Sequence, residues 1–301
     1  MREQRVVLEP FGLSEILQCS GVVCANQHGF MMIKGYMKKE KEGEYLKLLG
    51  SSVWASVMVY DEWGKAGVLF TGVVTDGEIS VENGLKTLKV KIKTGSFLMD
   101  LETHIRTFQS PGCTYDEIFA SFGASYQEYG YIMEEGNRKS INRFLCQYQE
   151  TDWRFLKRMA SQLGLPLVPD TSYYYPRFYL GLPEGEKREL GEIISCDLCF
   201  DGRYYAVSGK CLVDREDFIC YDVVTRTSLS LGDRVTYEGR ELLVSRKKTE
   251  LAGGEVIFTY RLVGNSYTWV PWENNPDYTG LPCRECRISW HCMQKGHPVF
   301  V

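Results

Sequence analysis

Residues 87 to 94 read TLKVKIKT, with Leu88, Val90 and Ile92 alternating against Lys89, Lys91 and Lys93. A period of two sets the apolar side chains on one face of a strand and the lysines on the solvated face. Asn83-Gly84 lies just ahead of it, and both residues tolerate the positive φ that a tight hairpin turn demands. Residues 53 to 60, VWASVMVY, repeat the pattern with Val53, Ala55, Val57 and Val59 on one face. The run KGYMKKEKEGEYLK, residues 34 to 47, mixes charge signs around a glycine and reads as a solvated hairpin tip. Alternating strands at this spacing predict a small barrel or sandwich over roughly the first hundred residues.

The period then lengthens. Thr114-Tyr115-Asp116-Glu117 fits a capping box, and Ile118, Phe119 and Phe122 follow on one helical face. In TDWRFLKRMASQLG, residues 151 to 164, Phe155, Leu156, Met159, Ala160 and Leu163 recur at three and four and make one apolar stripe. Thr151 or Asp152 caps its start, Gly164 its end, and Pro166 bars continuation. After Pro183 the period returns to two. Residues 230 to 263 alternate turn and strand, with Glu238-Gly239 and Gly253-Gly254 as turns and Val256, Phe258, Tyr260 and Leu262 sharing a face. The expected fold class is α+β, mainly β, with two small β-barrel units flanking a mixed helix-containing unit. The expected domains are a first barrel over 1-106, a mixed α/β insertion over 107-182 with helices near 114-123 and 152-163, a second barrel over 183-268 and a C-terminal tail over 269-301.

Charge and composition remove whole classes of partner. A net charge of -4 leaves no basic footprint, so no specific nucleic-acid partner is expected. No apolar run approaches the ~18 residues of a membrane span, and the opening MREQRVVLEPFG lacks a signal-peptide core. Folding and assembly in the cytoplasm, without membrane insertion, is the expectation. Eleven cysteines is a high and odd count, which in that setting points to reduced thiols rather than a disulfide framework.

Catalytic chemistry is thinly represented. Four histidines serve the chain, and HExxH, GxSxG and GxGxxG patterns are absent. GRYYAVSGKC, residues 202 to 211, imitates a phosphate loop, but Gly202 and Gly209 are separated by six residues where four are needed, and Cys211 replaces the magnesium-binding hydroxyl. Asp214, Glu216 and Asp217 lack the glycine and distal glutamate of a calcium loop. Glu134-Glu135 reads as a surface turn. Cys196 and Cys199 read as the end of a strand entering a turn, not the helix N-terminus that activates a redox pair. The C-terminal stretch CRECRISWHCMQKGH offers Cys283, Cys286, Cys292 (or His291) and His297 as a tetrahedral structural zinc set, since thiolate and imidazole are the donors zinc prefers. The leading reading of that stretch is a docking tail without metal, and the zinc set is the alternative to it. No catalytic residues and no cofactor are expected, unless that alternative set holds a structural zinc.

Three segments carry a more specific pattern. VLFTGVVTD (68 to 76) holds Leu69, Phe70 and Gly72; SFLMDLETHIRTFQSPGCTYDEIF (96 to 119) holds Asp100, Arg106, Phe108 and Gln109; QYQETDWRFLKRMASQLGLPLVPD (147 to 170) holds Gln147, Tyr148, Glu150, Thr151, Asp152, Phe155 and Leu156. In this order they resemble the phage late-control D and contractile-tail baseplate-hub family, which includes the VgrG proteins of type VI secretion, over residues 60 to 265. The resemblance implies two similar β-barrel units with a mixed unit inserted. Three copies then set six barrels around one channel, matching a sixfold tail tube. It implies a non-enzymatic homotrimer in a phage tail, tailocin or injection particle, with tail tube protein, spike protein and other baseplate components as partners. Phe70, Gly72, Asp100, Arg106, Gln109, Tyr148, Glu150, Asp152, Phe155 and Leu156 become structural motif positions, Asp152 and Glu150 serving the helix entry rather than chemistry.

The segment NNPDYTGLP (274 to 282) reaches the point where many such hubs continue into a spike-bearing barrel. The nineteen residues after it (283 to 301) are too few to make one, so the expected spike is a separate protein or the frame is cut short. Rival readings are a VgrG-like effector carrier, a zinc-binding or redox protein using the terminal cysteines, and a carbohydrate- or peptide-binding β module drawing on Tyr173, Tyr174 and Tyr175.

Overall fold

A computed structural model describes residues 5–60, 64, 66–110, 112–133, 139–141, 144–202 and 215–264. The chain begins with β1 (Arg5–Glu9), β2 (Glu15–Cys24), β3 (Phe30–Tyr36), α1 (Glu42–Leu49), β4 (Trp54–Tyr60), β5 (Ala66–Glu82) and β6 (Leu85–Lys93). A mixed segment follows: β7 (Thr103–Phe108), α2 (Tyr115–Ser121), β8 (Gly130–Ile132), β9 (Leu145–Thr151), α3 (Asp152–Gln162), β10 (Leu167–Pro169) and β11 (Arg177–Leu180). The last segment holds β12 (Lys187–Arg188), β13 (Ile193–Phe200), β14 (Ile219–Thr225), β15 (Arg234–Tyr237), β16 (Arg240–Ala252) and β17 (Glu255–Val263). The class is α+β and mainly β, as the periodicity predicts.

Three hairpins turn on two residues that both have positive φ: Asn83 and Gly84 (51° and 79°), Glu238 and Gly239 (48° and 76°), Gly253 and Gly254 (59° and 82°). Such turns twist in the sense of the strands they join, which fixes the β5–β6, β15–β16 and β16–β17 pairings locally. On β6, Leu88, Val90 and Ile92 are fully buried, and on β17 so are Tyr260 and Leu262.

The two β units are not separate. They are halves of one twelve-stranded sheet, joined where β2 pairs antiparallel with β16 through Ser20 to Cys24 and Arg246 to Glu250. The sequence predicts two small barrels; the sheet instead runs from β1 at one end to β13 at the other and does not close among the described residues. The reason is strand length. β16 has 13 residues and β15 only 4, so β15 leaves most of one β16 edge unpaired, and β2 takes up Arg246 to Glu250 of it. One apolar core, including Leu8, Ile33, Val57, Phe70, Val223, Val235 and Leu262, therefore runs through both halves.

The halves share one topology. The first runs β1-β4-β5-β6-β3-β2 and the second β12-β15-β16-β17-β14-β13, each strand matched by the one eleven places later (12 − 1). Their irregularities coincide as well. The β5–β6 ladder is bulged between Val74 and Asp76, and its counterpart β16–β17 between Val244 and Arg246. The β2–β3 ladder is bulged between Ile16 and Gln18, and its counterpart β13–β14 between Ile193 and Ser195. One difference stands out: β1 pairs β4 antiparallel, whereas β12 pairs β15 in parallel.

The charged run 34 to 47 is not a hairpin tip. It holds the end of β3, a single 3-10 turn at Lys39–Lys41 and the start of α1. Tyr45 decides this, because its ring is fully buried and its hydroxyl accepts the Lys38 amide at 3.2 Å. The Lys86 ammonium fastens the helix start to the sheet through both Glu42 oxygens (2.5 and 2.6 Å).

The inserted segment forms a second core of Met99, Tyr115, Ile118, Phe119, Phe122, Trp153, Phe155, Leu156, Met159 and Phe178. Thr114 and Glu117 make the predicted capping box on α2, and Thr151 caps α3 by accepting the Arg154 amide at 3.3 Å. Backbone bonds seat this segment on the sheet: the Asn26 amide donates to Leu167 (2.6 Å) and the Thr71 amide to Thr171 (2.6 Å). Tyr174 adds a hydroxyl bond to Ser56 at 2.7 Å, so this part of the tyrosine run packs on the neighbouring unit.

Gly72 on β5 has no room for a side chain, since a Cβ there would stand 2.1 Å from the Lys93 carbonyl oxygen. Gly72→Ala is expected to cost about 1–3 kcal/mol through this backbone clash, read as a lower denaturant midpoint in urea unfolding.

Candidate functional site

The helix entry at Thr151-Asp152 is where most motif positions meet. β9 runs straight into α3, so Glu150, Thr151 and Asp152 sit side by side at the start of the helix. The Asp152 carboxylate is 1% exposed and needs partners. It receives Arg106 Nη1 (2.5 Å) and Gln147 Nε2 (2.8 Å) on one oxygen and the Tyr126 hydroxyl (2.8 Å) on the other. β7 and β9 are paired antiparallel with Arg106 opposite Gln147, and Arg106 also donates to Gln147 Oε1 at 2.9 Å. Burial, and then the bond to Asp152, push the Tyr126 hydroxyl far above its usual pKa. Glu150 faces the other way and pairs with Arg158 at 2.7 Å.

A second cluster adjoins the first through Thr151, whose hydroxyl donates to Asp100 Oδ1. Asp100 Oδ2 lies 3.3 Å from His28 Nε2, and His28 Nδ1 lies 2.9 Å from Ser96 Oγ. Ser96 is in turn bonded to Thr94 at 2.9 Å. Burial lowers the His28 pKa below its ordinary value, more than the Asp100 bond raises it. Burial raises the Asp100 carboxyl, but the bonds from His28 and Thr151 outweigh it and hold the pKa below the usual aspartate value.

Serine, histidine and aspartate in a row invite comparison with a hydrolase triad. The geometry is against it. Ser96 is fully buried, and the imidazole is packed on Trp153 (4.8 Å between ring centres) and edge-on to Phe97 (5.9 Å). No substrate carbonyl reaches that hydroxyl, so the row is a structural clasp between β2–β3, the 3-10 turn at Gly95–Asp100 and α3.

Of the predicted motif residues, Asp100, Arg106, Glu150 and Asp152 gather here, with Phe155 and Leu156 fully buried beneath them on α3. Phe70 and Gly72 belong to the sheet and not to this cluster. Tyr148 is exposed on β9, and Gln109 bonds Thr107 at 3.5 Å, outside the cluster. His28, Ser96, Thr94, Tyr126 and Arg158 complete the arrangement without any sequence signal that singles them out. The partners of His28 and Tyr126 lie far away along the chain, at Ser96, Asp100 and Asp152.

Several of the described thiols are held in the protonated form. Burial pushes Cys19 up to about 12 and Cys220 up to about 11, and burial followed by Asp222 raises Cys199. Cys196 and Cys199 lie in the second half of β13, paired with Val223 and Cys220, and the strand ends at Phe200 before a turn at Gly202, as the sequence predicts. Three positions apart on a strand puts them on opposite faces, so the pair closes neither a disulfide nor a chelate. Among the described residues no three His, Cys, Asp or Glu side chains gather into a metal site. The terminal set Cys283, Cys286, His291, Cys292 and His297 lies outside the described residues, as do Glu134, Glu135, Cys211 and Asp214.

Two outcomes are expected. Arg106→Met strands the buried Asp152 charge and costs about 2–3 kcal/mol in urea unfolding, below the ~3–5 of a fully enclosed pair because Arg106 is 28% exposed. Acidification below pH 6.5 protonates His28 in the unfolded chain while the folded chain resists. Stability therefore falls from that point down to the lowered folded pKa, and a Tm series from neutral pH to about pH 5 should be flatter in His28→Gln.

No protein-family model matches the sequence, and no curated protein matches it. Solved structures do match. A component of the E. coli type VI secretion system, described as structurally similar to T4 bacteriophage tail proteins, aligns at TM-score 0.62 and 13% identity, covering 88% of this chain and 78% of that one. The 43 kDa tail protein of prophage MuSo2 from Shewanella oneidensis aligns at TM-score 0.63 and 12% identity, covering 89% of this chain and 100% of that one. The Francisella PdpA-VgrG complex in its half-lidded form aligns at TM-score 0.54 and 11% identity over 88% of this chain, which spans only 58% of the matched one. The fold of this chain is the one shared by phage tail proteins and the VgrG-related proteins of type VI secretion.

Proposed function

We propose that the protein is a structural hub of a contractile phage tail, tailocin or related injection machine. Three copies form a pseudo-sixfold ring that joins the tail tube to a separate spike. The observation that carries this reading is the duplicated strand order with its matching bulges. A chain that contains the same six-stranded unit twice presents six like units when three copies close in a ring. The likeness to tail and type VI secretion proteins supports the same reading. The buried polar clusters fit a load-bearing part, since their charges are spent on one another and on a helix start. The protein assembles in the cytoplasm and then becomes part of the particle, with tube, spike and other baseplate proteins as its partners.

The test is hydrodynamic and visual. The full chain, alone and mixed with the tail tube protein, is expected to give a trimer mass in light scattering and rings in negative-stain images. A chain that stays monomeric at every concentration and beside the tube protein overturns the reading.

A further inference from the structure

The ladder between β2 and β16 sets Ser20, Gly21 and Val22 opposite Glu250, Thr249 and Lys248. Since the two units share strand order and bulges, each of these residues has a counterpart. The β2 bulge at Ile16 matches the β13 bulge at Ile193, an offset of 177 (193 − 16). The β16 bulge at Val244 matches the β5 bulge at Val74, an offset of 170 (244 − 74). Ser20, Gly21 and Val22 thus correspond to Asp197, Leu198 and Cys199, and Glu250, Thr249 and Lys248 to Ser80, Ile79 and Glu78.

Both counterpart edges stand open among the described residues. β13 ends the sheet and pairs with β14 alone. β5 outlasts β4, whose ladder stops at Trp54 and Val73, so residues 76 to 80 have β6 on one side and no strand on the other. The apolar face tells the same story. At the joined ladder Cys19, Gly21, Val23 and Thr249 are all buried. At the open edges Leu198, the counterpart of Gly21, is 66% exposed, and Val81, the counterpart of the half-buried Leu251, is 61% exposed. An eight-residue edge strand with outward apolar side chains is a pairing template. Within the chain β13 and β5 form no ladder with each other, so the complementary edge belongs to a second copy.

We infer that β13 of one protomer adds antiparallel to the free half of β5 of the next, with Leu198 opposite Ile79, repeating between chains the ladder that β2 and β16 make within one. Cys199 then faces Glu78, and Asp197 faces Ser80. The inference rests on the ring proposed above and assigns its contact strand by strand. Leu198, Ile79 and Val81 fall on one face of the joined strands and are buried together, because directly opposite residues share a face and the next pair on that face lies two residues on.

Charge exchange at the central pair tests it. Leu198→Lys places an ammonium against Ile79 in every contact and is expected to weaken trimer formation at least about tenfold in light scattering. The Leu198→Lys, Ile79→Glu double variant is expected to restore it, whereas Leu198→Glu, Ile79→Glu is not. Leu198 is exposed in the single chain, so the circular dichroism and Tm of the Leu198→Lys monomer should match the parent. A trimer indifferent to Leu198→Lys, or one that the charge-complementary double variant fails to restore, overturns the pairing while leaving the ring reading standing. A parent chain that never trimerises, even beside the tube protein, overturns both.

Discussion

Sheet-edge amides and carbonyls need partners, and the ladder between β2 and β16 is where this chain meets that need between its two halves. Without it, β16 would carry a row of unpaired groups beyond the short β15, and the apolar faces of the two units would end in water. With it, one core runs through both halves. The ladder also sets the seat of the inserted segment. Asn26, two residues beyond β2 and in the left-handed region at φ 63°, bonds Leu167 through both its amide and its side chain. Where β2 docks, the insertion follows.

The insertion is held by charge as much as by apolar packing. A carboxylate as enclosed as Asp152 is tolerated only because an arginine, an amide and a phenol converge on it. Those partners come from β7, β9 and the loop before β8, so satisfying one side chain fixes three segments at the start of α3. Next to it, the His28–Asp100–Thr151 row links the first β unit to the same helix entry. Buried polar groups of this kind define a single arrangement where apolar contacts alone would accept several.

What the sequence shows plainly is what neighbouring residues decide. Asn83-Gly84, Glu238-Gly239 and Gly253-Gly254 turn where their backbone freedom predicts, Thr114 and Glu117 cap α2, and the alternation on β6 and β17 sorts inside from outside. What it hides depends on distant partners. Tyr45 makes a helix of a run whose charges suggest an exposed turn, because a pocket awaits its ring. The fusion of the two units joins residues 20 and 250, and no local pattern announces that. Arg106 and Asp152 stand out as motif positions, yet His28 and Tyr126 are ordinary residues until the fold brings them there.

The duplicated units agree in backbone and disagree in side chains. Gly21 is matched by Leu198, Gly77 by Lys247, and Asp76 and Glu78 by Arg246 and Lys248. A bulge is hard to lose because removing it flips every later residue to the wrong face, whereas a side chain can change alone. Two linked copies of a module are thereby freed from evolving in lockstep. A substitution in a single-module hexamer would be imposed at all its positions at once; here one copy can acquire a lysine while its twin keeps a glycine, and each can be tuned to a different neighbour.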